Sequence, residues 1–172
     1  MYIGDWSNVS RSLWQACSLA GLRFRAICPE KYGPSASENV NWSTSPDDVA
    51  GADAVYTDVW ASMGQEDELA ERLEVFRPYQ VNDELLAKTG KDTFFMHCLP
   101  AHRGQEVTDA VMESDLSLVF QQAANRLPVE KAILVSFMEN QNESEGEEGR
   151  AGLLRRLGYL NHHSVAQGKL WM

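Results

Sequence analysis

The sequence predicts an α/β protein: a doubly wound, mainly parallel sheet with helices on both faces. Three observations predict it. Short apolar runs of strand length recur along the chain. Segments of helical periodicity separate them, and such alternation implies a parallel sheet covered on both sides. The runs also end in polar residues, Gly4-Asp5, Asp58, His97-Cys98 and Gln121 to Arg126, and ligands of such sheets bind beyond the carboxyl ends of the strands.

Each element has its own signal. Tyr2-Ile3 reads as a short strand ending at Gly4-Asp5. After Ser7, a good N-cap type, Val9, Leu13, Ala16, Cys17 and Ala20 recur at helical spacing, and Gly21 stops the helix. Leu22 to Cys28 is a second strand closed by Pro29, and the Ser/Asn-rich stretch from Lys31 to Thr44 reads as a loop. Pro46 to Ala50 suits a short helix and Ala52 to Thr57 a buried strand. Gln65 to Phe76 is amphipathic, with Leu69, Leu73 and Phe76 on one stripe. A short helix from Asp83 to Lys88 leads to the strand Thr93 to His97. A helix near Thr108 to Glu113 precedes a strand from Ser117 to Phe120, and Pro128 to Met138 forms the last strong helix.

Residues 1–140 read as one domain and 141–172 as an acidic linker with a loose or short-helical tail. The tail pair His162-His163 has no partner carboxylates or thiols beside it and reads as inert rather than metal-binding. At 172 residues the chain can bury a real core. A net charge of −10 disfavours nucleic acid and anionic membranes as partners. No apolar stretch approaches the ~20 residues that cross a bilayer, and the start lacks a signal-peptide plan, so the expected location is cytoplasmic. Cys17, Cys28 and Cys98 are odd in number and form no CxxC pair, which supports neither a disulfide framework nor a zinc site. Cys17 and Cys28 read as small buried apolar residues.

Four segments carry candidate chemistry. In Asp58-Val59-Trp60-Ala61-Ser62-Met63-Gly64, a carboxylate and a hydroxyl at a strand end suit an amino-acid ligand, Asp58 for an ammonium and Ser62 for a carboxylate; a helix-capping loop explains the segment as well. Asn8, in Gly4-Asp5-Trp6-Ser7-Asn8-Val9, suits a ligand carboxylate or a cap, and the missing glycines argue against a dinucleotide. In His97-Cys98-Leu99-Pro100 the proline fixes a turn that leaves the carbonyls of Cys98 and Leu99 for a ligand, or simply follows a buried thiol. Arg126, placed at the start of the last helix, suits an anion or an exposed structural role.

The segments GDWSNVSRSL, YTDVWASMGQE, HCLPAHRGQEVTDAV and ANRLPVEKAIL, in this order over about residues 2–140, resemble the ornithine-binding half of the ornithine carbamoyltransferase family. That resemblance implies a Rossmann-like second domain and a place in arginine biosynthesis and the urea cycle. It implies that Asn8, Asp58, Ser62 and Met63 hold the amino-acid end of L-ornithine, that Asp58 and Cys98 lie near its side-chain amine, and that His97 belongs to the binding turn. It further implies that the backbone of Cys98 and Leu99 receives the carbamoyl NH2 and that Arg126 reaches carbamoyl phosphate. Asp58, Cys98 and Arg126 are thus the expected catalytic set, with no metal and no organic cofactor. The reaction implied is attack of a neutral δ-amine on the carbamoyl carbon, expelling phosphate and giving citrulline.

Four departures accompany the likeness. The family's first domain, with its Ser-Thr-Arg-Thr loop and His-Pro-x-Gln segment, has no counterpart here, so the chain reads as a half inactive by itself. The segment between Tyr32 and Ser45 is shorter, Ala124 stands where the family carries Glu, and the tail stops resembling it. A homo-oligomer, or a partner carrying the first domain, is one expectation. A non-catalytic amino-acid-binding or interaction module derived from the domain is the alternative.

Overall fold

The computed structural model describes residues 1–61 and 66–141. They belong to two units, one from Met1 to Ala123 and one from Ala124 onward. The acidic linker and tail expected beyond residue 141 lie outside the described residues.

In the first unit the strands β1 (Tyr2–Ile3), β2 (Ala26–Ile27), β3 (Trp42–Ser43), β4 (Ala54–Thr57) and β5 (Phe94–His97) form one sheet in the order β3-β2-β1-β4-β5. All its neighbours run parallel, as the alternation of strand and helix signals predicts. The strand order turns back between β1 and β4, so the crevice at their carboxyl ends is the natural ligand position.

Register sorts the side chains onto two faces. Ile3 pairs with Ile27 and Thr57, and Thr57 with His97, so these four share a face with Val55 and Phe95. There Ile3, Ile27, Val55 and Phe95 form the main core with Val49, Val81, Leu85, Val107, Val111 and Val119. Each such side chain contributes about 1.5–3 kcal/mol on burial. The other face carries Tyr2, Ala26, Tyr56 and Met96, and there Ala26 and Cys28 pack with Trp6, Trp14, Phe24 and Trp42. Both faces are covered, which makes the sheet doubly wound.

Helix α1 begins where its cap predicts, and side-chain caps start two others. Ser7 Oγ accepts from Val9 N ahead of α1 (Asn8–Leu19), and Ser10 Oγ donates back to the Ser7 carbonyl at 2.9 Å. Asn82 caps α3 (Asp83–Ala87) and Thr108 caps α4 (Asp109–Met112). Only Ser10 of α1 is fully buried; Val9, Leu13 and Cys17 are half-buried, Ala16 and Ala20 are exposed, and Leu19 is 91% exposed. Cys17 is therefore not the buried thiol that its spacing suggests.

Four elements differ from the sequence expectation. The stretch from Lys31 to Thr44, read as a loop, contains the edge strand β3, ordered by close packing: a side chain at Gly33 would meet the Trp42 ring at 2.4 Å. Glu38 ties the same stretch to α1, accepting from Trp6 Nε1 at 2.9 Å and Arg11 Nε at 3.0 Å. Those two donors hold its carboxyl down at about 2. In the amphipathic segment, α2 (Leu69–Phe76) buries Arg72 and Phe76, while Leu69 is exposed and Leu73 half-buried. The expected strand Ser117 to Phe120 is one parallel bridge, Phe95 to Ser117, after which α5 (Val119–Gln141) begins. Pro128, the expected start of the last helix, lies inside α5, and the longer helix accommodates its missing amide hydrogen. Among the described residues no helix is long and apolar enough to cross a membrane.

Candidate functional site

Three neighbouring strands bring their carboxyl ends level. Because Ile3, Thr57 and His97 share one register line, the next residues, Gly4, Asp58 and Cys98, follow at the same height. Thr57 Oγ1 donates to the Ile3 carbonyl at 2.7 Å and locks the first two strands together. Gly4 turns the chain away with φ 138, a conformation open to glycine and rarely to any side chain.

Asp58 is 9% exposed, and its Oδ1 accepts the Val59 amide at 2.8 Å and the Cys98 thiol at 2.9 Å. Burial, and then the neighbouring Asp58 carboxylate, push the Cys98 thiol up to about 12. The sulfur is thus a neutral thiol at physiological pH. A carboxylate so placed, with its charge partly shielded from water, suits a cationic ligand such as an ammonium.

His97 and Cys98 leave β5 in opposite directions, as successive residues of a strand must. His97 is 1% exposed and sits on the core side. Its Nδ1 accepts the Leu99 amide at 2.9 Å, which puts the ring hydrogen on Nε2, 3.3 Å from Glu106 Oε1. Glu106 is fully buried, and the same oxygen accepts the His102 amide at 2.5 Å. Leu99 has φ 57, unusual for a branched side chain, and a cis peptide bond joins it to Pro100. The His97 ring holds that turn by its amide, so the geometry makes His97 a support for the turn from beneath.

Of the other expected site residues, Asn8 is exposed as the first residue of α1, beyond the carboxyl end of β1. Ser62 and Met63 lie outside the described residues. Arg126 is in the second unit, within α5 and not at its N-terminus, exposed and paired with Glu130 at 3.4 Å. The helix-end contribution to anion binding expected for it is therefore lost, since that effect is confined to the first turn.

Two groups escaped the sequence reading. Arg72, with its side chain 5% exposed, donates to Asp5 Oδ2 at 2.8 Å, to the Trp60 carbonyl at 3.0 Å and to Glu68 Oε2 at 3.0 Å. It also lies over the Tyr32 ring at 4.7 Å. One guanidinium thereby joins the end of β1, the segment after β4 and the approach to α2. Tyr56, two residues before Asp58 and so on its face of β4, stacks on Tyr2 at 6.2 Å. The period of the strand was the signal that could have found it. Among the described residues no group of three or more His, Cys, Asp or Glu could hold a metal ion.

The chain matches known proteins over most of its length. A family model described as aspartate/ornithine carbamoyltransferase, Asp/Orn binding domain, matches residues 1–137. An ornithine carbamoyltransferase of Geobacillus stearothermophilus is 46% identical over 151 residues, covering 80% of this chain and 49% of that protein. One from Archaeoglobus fulgidus is 45% identical over 152 residues, covering 83% and 50%. Among solved structures, the ornithine carbamoyltransferase of Pyrococcus furiosus superposes with a TM-score of 0.71 at 44% identity, over 78% of this chain and 47% of that one. The anabolic enzyme of Campylobacter jejuni gives 0.73 at 29% identity, over 81% and 50%. The chain spans about half the length of the curated relatives it matches.

Proposed function

The chain belongs to the aspartate/ornithine carbamoyltransferase family, as its Asp/Orn binding domain, and from that premise we propose that it is the ornithine-binding half of an ornithine carbamoyltransferase. The reaction is carbamoyl phosphate plus L-ornithine to L-citrulline plus phosphate. The observation that carries the reading is the Asp58–Cys98 pair at the switch point of the sheet. A buried carboxylate there attracts an ammonium, while a thiol kept neutral adds no second anion beside the amine.

Each residue then has a task. Asp58 and Asn8 hold the amino-acid end of ornithine, together with Ser62 and Met63 of the adjoining segment. Cys98 lines the pocket beside the side-chain amine without forming a covalent bond, and the Cys98 and Leu99 carbonyls receive the carbamoyl NH2. Arg126, exposed and always charged, serves carbamoyl phosphate, exchanging its Glu130 partner for the anion. An ornithine amine with ordinary basicity near pKa ~10.4 is mostly protonated at neutral pH, so the pocket must favour the free base before it attacks. We further place the protein in the cytoplasm, where its three free cysteines stay reduced. A second polypeptide, or further sequence of the same kind as its relatives carry, supplies the rest of the carbamoyl phosphate site. Residues 1–140 serve as the binding domain and the remainder as its tail.

Calorimetric titration with L-ornithine, against L-aspartate and L-lysine as controls, tests the reading. Binding of ornithine with rejection of the other two supports it, and no preference among the three overturns it.

A further inference from the structure

The sheet register sets Tyr56 opposite Met96, so Cys98, two residues on, is the diagonal neighbour of Tyr56 on the same face. Asp58 then stands across from Cys98. Behind Tyr56, Gln122 Nε2 donates to the phenol oxygen at 2.9 Å. The phenol oxygen is thus supplied with a donor, and its own hydrogen is available to the sulfur.

We propose that Tyr56, anchored by Gln122, is a positioning residue that donates its hydroxyl hydrogen to the Cys98 sulfur and thereby turns the thiol hydrogen onto Asp58. The four groups form a chain in which every hydrogen points the same way: amide to phenol, phenol to thiol, thiol to carboxylate. A sulfur that accepts from one side turns its own hydrogen away from that side, and Asp58 Oδ1 lies within reach at 2.9 Å. The electrostatics agree with the direction of each link. The Tyr56 contact lowers the proton affinity of Cys98 while Asp58 raises it, and burial and then Cys98 push the phenol up to about 12. Stacking of Tyr56 on Tyr2 fixes the ring plane, so the hydroxyl has little freedom to look elsewhere. The relevance of this chain to ornithine rests on the function proposed above, but the chain itself is a property of the free protein.

The test is the rate at which iodoacetamide alkylates Cys98 in the full 172-residue chain at fixed alkaline pH, followed by peptide mapping. Cys17 in the same molecule serves as the internal reference. Tyr56→Phe keeps the ring and removes the donor to the developing thiolate. It should slow Cys98 alkylation roughly tenfold, the effect of one hydrogen bond to a charged acceptor. Asp58→Asn removes the acceptor that holds the thiol hydrogen and should speed it. Gln122→Met, which frees the phenol, should slow it by less than Tyr56→Phe does. A merely structural role for Tyr56 predicts the reverse sign, since a loosened strand exposes the sulfur and quickens the reaction. Slowing in Tyr56→Phe with Cys17 unchanged supports the proposal; an unchanged or faster Cys98 rate overturns it. Ornithine titration of the unsubstituted chain reports separately on the proposed function, so either idea can fail alone.

Discussion

Cys98 gives its thiol hydrogen to Asp58 across 2.9 Å, while its neighbour His97 faces the buried core on the other side of the same strand. The candidate site and the core are thus one residue apart.

The first consequence is for affinity. Asp58→Asn keeps the shape of the pocket but removes the charge that an ammonium ligand meets. Ornithine binding should weaken about ten- to a hundredfold, the loss of one charge-assisted contact. Calorimetry on the two proteins measures it; equal affinity would remove Asp58 from the site.

Stability should fall at alkaline pH. The thiols of Cys28 and Cys98 stand near 12 in the folded chain against an ordinary value of 9.0, each raised first by burial. Tyr2 and Tyr56 are raised from 10.0, again by burial first. The unfolded chain therefore releases these protons at lower pH than the folded one. Their contribution is fully present below pH 9 and is lost as pH rises toward 12. Urea melts between pH 7 and 11 should show a falling midpoint, with a shallower fall in Cys98→Ser. A midpoint that rises over that range contradicts the burial of these groups.

Removing Glu106 should cost stability more than a surface carboxylate does. Glu106→Ala leaves the His102 amide without its acceptor and removes the carboxylate beside the buried His97 ring, a loss of about 1–3 kcal/mol. Glu106→Gln retains an acceptor oxygen and should restore part of it. Urea denaturation of the three proteins gives the comparison, and Glu113→Ala supplies the surface reference.

The purified 172-residue chain should make no measurable citrulline. Carbamoyl phosphate is a dianion that needs several donors in one place, and a single exposed Arg126, paired with Glu130, offers one fork. A colorimetric citrulline assay decides this. Turnover above background from a preparation free of host enzyme would refute it.

Much of this fold was legible because strand and helix periods are local. Ser7 announced its helix, and the strand ends at Asp58 and Cys98 announced the crevice. What escaped depended on partners distant in sequence. The strand β3 exists only because Ala26 and Ile27 pair with Trp42 and Ser43. Arg72 is buried among distant partners, Asp5, 67 residues away, among them. Arg126 differs for a local reason: proline is a usual helix boundary, but α5 runs through Pro128. Ser62 and Met63 are assigned by resemblance alone.

The two-residue period of β5 has a consequence for variation in this chain. A one-residue slip of that strand would send the imidazole to the pocket and the sulfur into the hydrocarbon interior, forfeiting both at once. Insertions or deletions within residues 94–97 are therefore closed to drift, whereas single replacements at Phe94 or Met96 are open to it. One side of the ribbon can change while the packing of the other stays in place.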